Sequence, residues 1–142
     1  MDNRVLRLGA MIYGEGGSTD YDTMLKIGST AINRMNANRP QEFGEGLLGV
    51  LYQPNAYYAV QNQNDPYKWA MSGKFPNKDE EYRYKRALQV ASGLVSGDIK
   101  PEKGMFFFTD KEINRFKKNP KLFNMKAVKE VGKDKNYTYL SY

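Results

Sequence analysis

Glu15 is the side chain of this sequence that is best placed to act as a general acid. It follows Val5, Leu8 and Ile12, whose spacing predicts the apolar face of a helix. Gly16-Gly17 comes directly after it and is expected to end that helix. The carbonyl end of a helix and apolar neighbours both raise the pKa of a glutamate, as acid catalysis near neutral pH requires. An ordinary solvated glutamate at a helix end is the alternative interpretation.

The composition narrows the available chemistry. The sequence contains no histidine and no cysteine, which excludes thiol nucleophiles, imidazole bases and the usual zinc ligands. Carboxylate catalysis is then the most plausible enzymatic chemistry, and glycosidic bonds are its natural substrate because their cleavage needs a protonated acid. Asp20 and Asp22 are possible second carboxylates, but both stand near a helix start, where capping alone explains an acid. We therefore consider a mechanism with one acid, and expect no cofactor and no metal.

Length and composition are those of one globular domain. The chain has 142 residues, of which 40% are hydrophobic and 13% aromatic, so it can bury a real core. We assign residues 1–142 to a single domain. No long apolar run follows Met1-Asp2-Asn3-Arg4, so we expect neither a signal peptide nor a membrane span.

The net charge of +6 is unevenly distributed along the chain. Residues 1–99 contain 11 basic and 11 acidic residues, whereas residues 100–142 contain 11 basic and 5 acidic ones. The whole excess therefore lies in the second part, which suits an anionic polymer, either nucleic acid or cell-wall glycan. The alternative is a solvated basic face that keeps the protein soluble.

Hydrophobic periodicity predicts a mainly helical chain up to residue 96. A second helix begins after Ser18-Thr19-Asp20, which offers N-cap oxygens, and runs to about Met35. Residues 43–50 indicate a short helical turn, and residues 59–78 indicate a loop. The clearest helix covers residues 79–96, with acidic residues in its first turn and a glycine at its end.

Strand signals are concentrated after residue 100. Residues 104–109 form a short apolar run of strand length, and residues 127–132 and 137–142 indicate two strands around a turn. Between them, Asp110 is expected to cap a brief basic helix that runs through Phe116. We therefore predict an α+β fold, a mainly helical domain with a small antiparallel sheet in the C-terminal third.

A polar-aromatic segment covers residues 51–58 and includes Tyr52, Gln53 and Tyr57. Tyrosine rings stack on sugars or bases while their hydroxyl groups form hydrogen bonds, so this segment is a candidate binding surface. The alternative is a tyrosine-rich loop that packs over the core.

Five segments form a pattern in order along nearly the whole chain: Ile12-Tyr13-Gly14-Glu15-Gly16-Gly17, Ile27-Gly28-Ser29-Thr30-Ala31-Ile32-Asn33-Arg34-Met35, Gly49-Val50-Leu51-Tyr52-Gln53-Pro54, Gly104-Met105-Phe106-Phe107-Phe108, and Val131-Gly132 to Tyr139. Together they resemble segments of the spore-cortex-lytic family of cell-wall hydrolases. The first resembles the apolar-Tyr-Gly-Glu opening of that family, and the second its helix ending in apolar-Asn-Arg-apolar. The third, with Tyr57 after it, is similar to the Gly-Val-Val-Tyr-Gln segment. The fourth resembles the Gly-Ala-Leu-Tyr-Phe strand, and the fifth the closing strand pair.

The resemblance implies a lysozyme-like fold and a lytic transglycosylase that cleaves the glycosidic bond between MurNAc and GlcNAc in peptidoglycan. Glu15 would protonate the leaving oxygen and then act as base while the 6-hydroxyl of the muramic acid closes on C1. The product is a 1,6-anhydro sugar, and no enzyme nucleophile is needed. Asn33 would orient Glu15 or a sugar amide. The other residues that the resemblance places at the substrate are Tyr13, Tyr52, Gln53, Tyr57, Phe107 and Tyr137.

The sequence departs from the family at four places. A second glutamate that follows the first by four positions is here Thr19, and the tyrosine of the sheet strand is Phe107. The Asn-Pro after that strand is Thr109-Asp110. A histidine near the end of the family has no counterpart, and Asn136 and Tyr137 stand closest to its position.

Two other functions stay open at this point. One is a hydrolytic muramidase that uses water with the help of Asp20 or Asp22. The other is a non-catalytic module that grips glycan or nucleic acid through the basic segment and its aromatic residues. We expect glycan strands of peptidoglycan as the partner, and no nucleic acid. Small size and no apparent leader suggest a bacteriophage lysin, either an endolysin released at lysis or a virion-associated protein that acts with other virion proteins.

Overall fold

The structure, a computed structural model, describes residues 2–16 and 20–142. The predictions made for Ser18 as a cap and for Thr19 as a departure from the family fall outside these residues. The described residues form eight α-helices and a three-stranded sheet. The elements are α1 (Asn3–Gly16), α2 (Tyr21–Asn36), α3 (Pro40–Phe43), α4 (Gly46–Tyr52), α5 (Tyr58–Asn62), α6 (Asp65–Ser72), α7 (Lys78–Ser96), β1 (Phe106–Phe108), α8 (Asp110–Lys118), a 3₁₀ turn (Met125–Ala127), β2 (Lys129–Lys133) and β3 (Thr138–Ser141).

Helix α1 lies at the centre of the helical part. Its residues Leu8 to Tyr13 are buried, and it contacts α2, α4, α5, α6 and α7. Gly28 of α2 permits one of these close approaches, because a Cβ atom there would lie 2.7 Å from Cδ1 of Ile12 and 2.8 Å from Cδ1 of Leu94. Glu15 is thus carried by the helix around which the core is built.

The two longest predicted helices after α1 are confirmed. Asp20 caps α2 by accepting a hydrogen bond from the Thr23 amide at 3.0 Å. Asn77 caps α7 in the same way, with the Glu80 amide at 2.8 Å. Gly97 ends α7 in the left-handed region at φ 86°, where a glycine is favoured. The predicted turn over residues 43–50 is present as parts of α3 and α4.

The prediction of a loop over residues 59–78 was wrong, because α5 and α6 occupy much of it. Asn64 caps α6 by accepting a hydrogen bond from the Tyr67 amide at 3.1 Å, and Tyr67 and Ala70 are buried. Asn64 also donates to the carbonyl oxygen of Gly14 at 3.0 Å. Packing against α1, rather than a long apolar stripe, stabilises these short helices.

The small sheet confirms the predicted fold class. Its strands are antiparallel in the order β1-β3-β2, with Phe107 opposite Tyr139 and Glu130 opposite Leu140. The register shifts between Glu130 and Gly132. All three strands overlap the segments predicted for them, and they lie in the C-terminal third of the chain.

The predicted cap of α8 was wrong by one residue. Thr109, not Asp110, is the N-cap, and its hydroxyl accepts a hydrogen bond from the Glu112 amide at 3.2 Å. The Glu112 carboxylate in turn accepts one from the Thr109 amide at 3.0 Å. This reciprocal pair is a capping box, which satisfies two amides at once. It therefore stabilises the start of α8 more than a single cap at Asp110 would.

Asp134 ties the turn between β2 and β3 to helix α2. Its Oδ2 accepts hydrogen bonds from the hydroxyl groups of Thr23 at 3.0 Å and Tyr139 at 2.7 Å. Its Oδ1 accepts from the amides of Asn136 at 3.0 Å and Tyr137 at 2.9 Å. Burial alone would raise the pKa of Asp134, but these hydrogen bonds outweigh it and hold the pKa below its ordinary value.

Replacing Asp134 with asparagine is therefore expected to lower the free energy of unfolding by about 1–2 kcal/mol at neutral pH, the low end for charged hydrogen bonds at a partly exposed site. Because the folded pKa lies below the unfolded one, ionised Asp134 stabilises the fold above about pH 4. That contribution is lost as the pH falls through the folded pKa. Urea denaturation should show the difference between wild type and variant shrinking in that range.

Asp22→Asn is the control for this measurement, because Asp22 forms an ion pair with Lys26 at the surface and should matter little. An Asp134→Asn difference that does not change between pH 7 and acid, or that equals the effect of Asp22→Asn, would contradict the assignment.

Candidate active site

A groove of about 510 Å³ opens between the end of α1, helix α5, strand β1 and the start of α8. Three charged residues lie among the described residues that line it: Glu15, Arg34 and Glu112. Polar side chains that can hydrogen-bond a ligand line it as well, including Asn55, Gln61 and Asn62. A cleft of this size with a few converging polar groups is the usual form of a small-ligand site.

Glu15 lies in the last turn of α1, as predicted, and its carboxyl group borders the groove. Its Oε1 accepts a hydrogen bond from the backbone amide of Ala59 at 2.8 Å. Burial raises the pKa of Glu15, and the negative charge of Glu112 adds to the effect. The amides of Tyr58 and Ala59 act in the opposite direction without cancelling it. Glu15 therefore holds its proton to a higher pH than an exposed glutamate does.

Glu112 is a second carboxylate of the groove, and the sequence analysis missed it. One oxygen, Oε1, is engaged in the capping box of α8, where it accepts hydrogen bonds from the Thr109 amide at 3.0 Å and hydroxyl at 3.2 Å. The spacing Thr-x-x-Glu after the predicted strand is a signal that could have identified this cap. Its position opposite α1 depends on the fold and has no signal in the sequence.

Aromatic rings form one wall of the groove. The ring of Phe107 stacks on Tyr57 with centroids 6.2 Å apart, and Tyr137 meets Phe107 edge-on at 5.1 Å. The Tyr137 hydroxyl donates to the backbone carbonyl oxygen of Glu15 at 3.2 Å. Tyr57 is almost fully buried, so only a small part of it can face a ligand. Three of the predicted substrate residues are thus brought together beside Glu15.

Tyr13 does not line the groove, in contrast to the prediction. It is fully buried, and its hydroxyl donates to the carboxylate of Glu80. Its ring packs against Tyr84 at 5.7 Å and Phe75 at 6.2 Å between centroids. The physical reason is helical geometry, because a residue two positions before Glu15 points about 200° away from it around the helix.

Three other predicted substrate residues also lie outside the groove. Asn33 donates from Nδ2 to the carbonyl oxygens of Glu102 at 2.7 Å and Gly104 at 2.8 Å, and so anchors the segment before β1. Tyr52 is exposed and accepts a hydrogen bond from Arg7 on another face. Gln53 follows the end of α4, where its amide donates to the carbonyl oxygen of Val50. None of the three is therefore retained as a substrate contact.

The predicted alternative carboxylates have structural roles. Asp20 caps α2 through the Thr23 amide, and Asp22 pairs with Lys26 at 2.7 Å. Neither is among the residues that line the groove. If a second carboxylate takes part in the chemistry, Glu112 is the candidate that the geometry offers.

Two kinds of feature are absent from the described residues. No helix among them combines the length and apolar character that crossing a bilayer requires. No three of their acidic, histidine or cysteine side chains cluster as metal ligands do.

The chain belongs to a family of cell wall hydrolases, since a family model described as Cell Wall Hydrolase matches residues 18–137. Membership confirms the family that the five segments indicated, and it indicates an enzyme that degrades peptidoglycan. No curated protein and no solved structure matches the chain significantly, and the lysozyme-like architecture stays a prediction. The matched range begins after Glu15, so the role of Glu15 rests on the groove and on the resemblance of residues 12–17.

Proposed function

We propose that the protein is a lytic transglycosylase that cleaves the MurNAc–GlcNAc bond of peptidoglycan, with Glu15 as its single acid and base. The observation that carries the proposal is that Glu15 lines an open groove and that burial raises the pKa of its carboxyl group. A raised pKa keeps a larger fraction of a glutamate protonated at a given pH, which favours general acid catalysis.

The reaction needs two proton transfers and both can use the same group. Glu15 first donates its proton to the glycosidic oxygen, the bond to C1 of MurNAc breaks, and GlcNAc leaves as an alcohol. The Glu15 carboxylate then takes the proton of the 6-hydroxyl group of that MurNAc, while the oxygen of this hydroxyl group attacks C1. A 1,6-anhydro ring forms, and Glu15 is protonated again. No water is consumed in this reaction.

The surroundings of Glu15 support this role. The Ala59 amide fixes the orientation of the Glu15 carboxyl group. Alignment of the proton donor with its acceptor lowers the activation barrier of the reaction. The ring of Phe107 and the edge of Tyr137 offer an apolar wall to a sugar face. Asn55, Gln61 and Asn62 can hydrogen-bond hydroxyl and N-acetyl groups.

A hydrolytic muramidase is the second candidate, and Glu112 is the observation that favours it. Its charge acts on Glu15 across the groove, so a water molecule held near Glu112 could be activated as a nucleophile. Against this, one oxygen of Glu112 already accepts hydrogen bonds from the amide and the hydroxyl group of Thr109, so only the other oxygen is left to hold a water molecule.

Products of purified peptidoglycan separate the two reactions. We expect muropeptides that end in 1,6-anhydro-MurNAc, are lighter by one water than hydrolytic products, and resist borohydride reduction. Glu112→Gln should keep most of the activity and the same products. Reducing ends from the wild type, together with an inactive but folded Glu112→Gln variant, would replace the proposal with the two-carboxylate hydrolysis.

We further propose that a bacteriophage delivers the protein to the cell wall, either as an endolysin released at lysis or as a virion-associated lysin.

A further inference from the structure

Arg34 is a buried cation in the wall of the groove. It lies on α2, only 9% of its surface is exposed, and its Nε donates to the carbonyl oxygen of Met105 at 2.6 Å. Three rings surround the guanidinium, with its central carbon 4.8 Å from the centroid of Tyr57, 5.1 Å from Phe106 and 5.5 Å from Phe43. The Nε hydrogen bond and the rings hold the side chain in one orientation.

The two terminal nitrogens of Arg34 have no protein partner among the described residues. No ion pair of those residues includes Arg34, and the one hydrogen bond it makes to them uses Nε. No buried side-chain nitrogen or oxygen of the described residues lacks a partner, so both terminal nitrogens must reach solvent. The solvent-filled space that Arg34 lines is the groove.

A buried charge without a counter-ion is costly, and the three rings offset only part of that cost. Arg34 is also the one cation among the described residues that line the groove. The fork of two free N–H groups on a fixed guanidinium matches a carboxylate, which accepts two parallel hydrogen bonds. A carboxylate of a ligand in the groove would therefore meet a guanidinium that is already oriented to bind it.

Arg34 and Glu15 line the same groove from different helices, α2 and α1. The charges of both shift the pKa of the Tyr57 hydroxyl, Arg34 lowering it and Glu15 raising it, although burial is the largest cause and raises it overall. An anion held by Arg34 can thus belong to a substrate whose reacting bond lies at Glu15.

We propose that Arg34 binds a carboxylate carried by the muramic acid unit of the substrate, an inference that rests on the proposed function. Two sources have this chemistry. One is the lactyl carboxylate of MurNAc, which is free on strands whose peptide has been removed, and the other is a carboxylate of an attached peptide stem. The lactyl carboxylate is attached to the sugar itself, so a pocket of about 510 Å³ can hold it together with the scissile bond.

Binding to the inactive Glu15→Gln protein tests the proposal without turnover. The probes are a peptide-free MurNAc–GlcNAc tetrasaccharide, its lactyl methyl ester, and the same tetrasaccharide with peptide stems, each titrated by calorimetry. The free acid should bind at least about tenfold more tightly than the ester, as expected for charge-assisted hydrogen bonds. Adding Arg34→Gln should bring the two affinities within about twofold, whereas Arg34→Lys, which keeps the charge but not the fork, should fall between.

The stem-bearing probe distinguishes the two sources. Weak binding of this probe supports the lactyl carboxylate, whereas tight binding that is lost with Arg34→Gln supports a stem carboxylate. Equal affinity for acid and ester, with neither the stems nor Arg34→Gln changing it, would overturn the proposal. If Arg34→Gln does not fold, the affinities of the free acid, the ester and the stem-bearing probe for the protein that retains Arg34 still decide. Absence of any cleavage by the wild type would contradict the proposed function and leave this comparison intact.

Discussion

Replacing Glu15 with glutamine is expected to lower the turnover of purified peptidoglycan by about 10²–10⁴-fold, the usual contribution of a general acid. Glutamine has the same size and retains an oxygen that can accept a hydrogen bond from the Ala59 amide, so the local structure should persist. What it lacks is an acidic proton that can be transferred to the leaving oxygen. The release of soluble muropeptides per unit time is the measurement.

The matched control is Glu45→Gln, since Glu45 is exposed and does not line the groove. It should retain wild-type turnover, and both variants should show the circular dichroism and melting temperature of the wild type. Wild-type turnover in the folded Glu15→Gln variant would remove Glu15 from the mechanism.

Gly14→Ala is expected to lower turnover by about 10²-fold, the scale on which small misplacements of a catalytic group act. A Cβ atom at Gly14 would lie 2.6 Å from Cβ of Ala59 and 3.1 Å from Oδ1 of Asn64. Helix α5 must then move away from α1. Because the Ala59 amide on α5 orients the carboxyl group of Glu15, that movement misaligns the acid.

Gly9→Ala is the control, because it lies on the same helix but away from the groove. The nearest atom to its added Cβ is the flexible end of Leu88, at 2.8 Å. Both substitutions raise helix propensity by a similar amount, so a difference between them reports the contact with α5. Full turnover in Gly14→Ala, or equal losses in both variants, would show that α5 does not position the acid.

The parts of the fold that could be predicted are those whose signals are local. Helix α7 has a cap at Asn77 and a glycine stop at Gly97, and both are readable from the sequence. Strand β1 shows as a short apolar run, and the Gly-Lys-Asp-Lys-Asn turn marks the pair formed by β2 and β3. Helices α5 and α6 were missed because they are too short for a periodic stripe, and contacts with α1 stabilise them. The local signals of α6 were the cap at Asn64, the proline in its first turn and Gly73 at its end.

The residues of the candidate site could likewise be predicted only in part. Glu15 could be identified because a helix end and a resemblance both pointed to it. The Asn33-Arg34 pair could not be resolved, since neighbouring helical residues point about 100° apart and the sequence does not say which one faces the groove. The structure turns Arg34 toward the groove and Asn33 toward residues 102–104. Glu112 comes from a distant element, and only the fold brings it opposite Glu15.

The most direct test of the account is an NMR titration of the Glu15 side-chain carboxyl carbon in protein labelled with ¹³C-glutamate, with the Glu15→Gln spectrum as the assignment. We predict a titration midpoint above the ordinary value for glutamate, because burial disfavours the charged form. Turnover should fall as the pH rises through that same midpoint, since only protonated Glu15 can donate. A midpoint at or below the ordinary value would contradict the claim that Glu15 is the catalytic acid. Turnover that stays the same as the pH rises through the midpoint would contradict it as well.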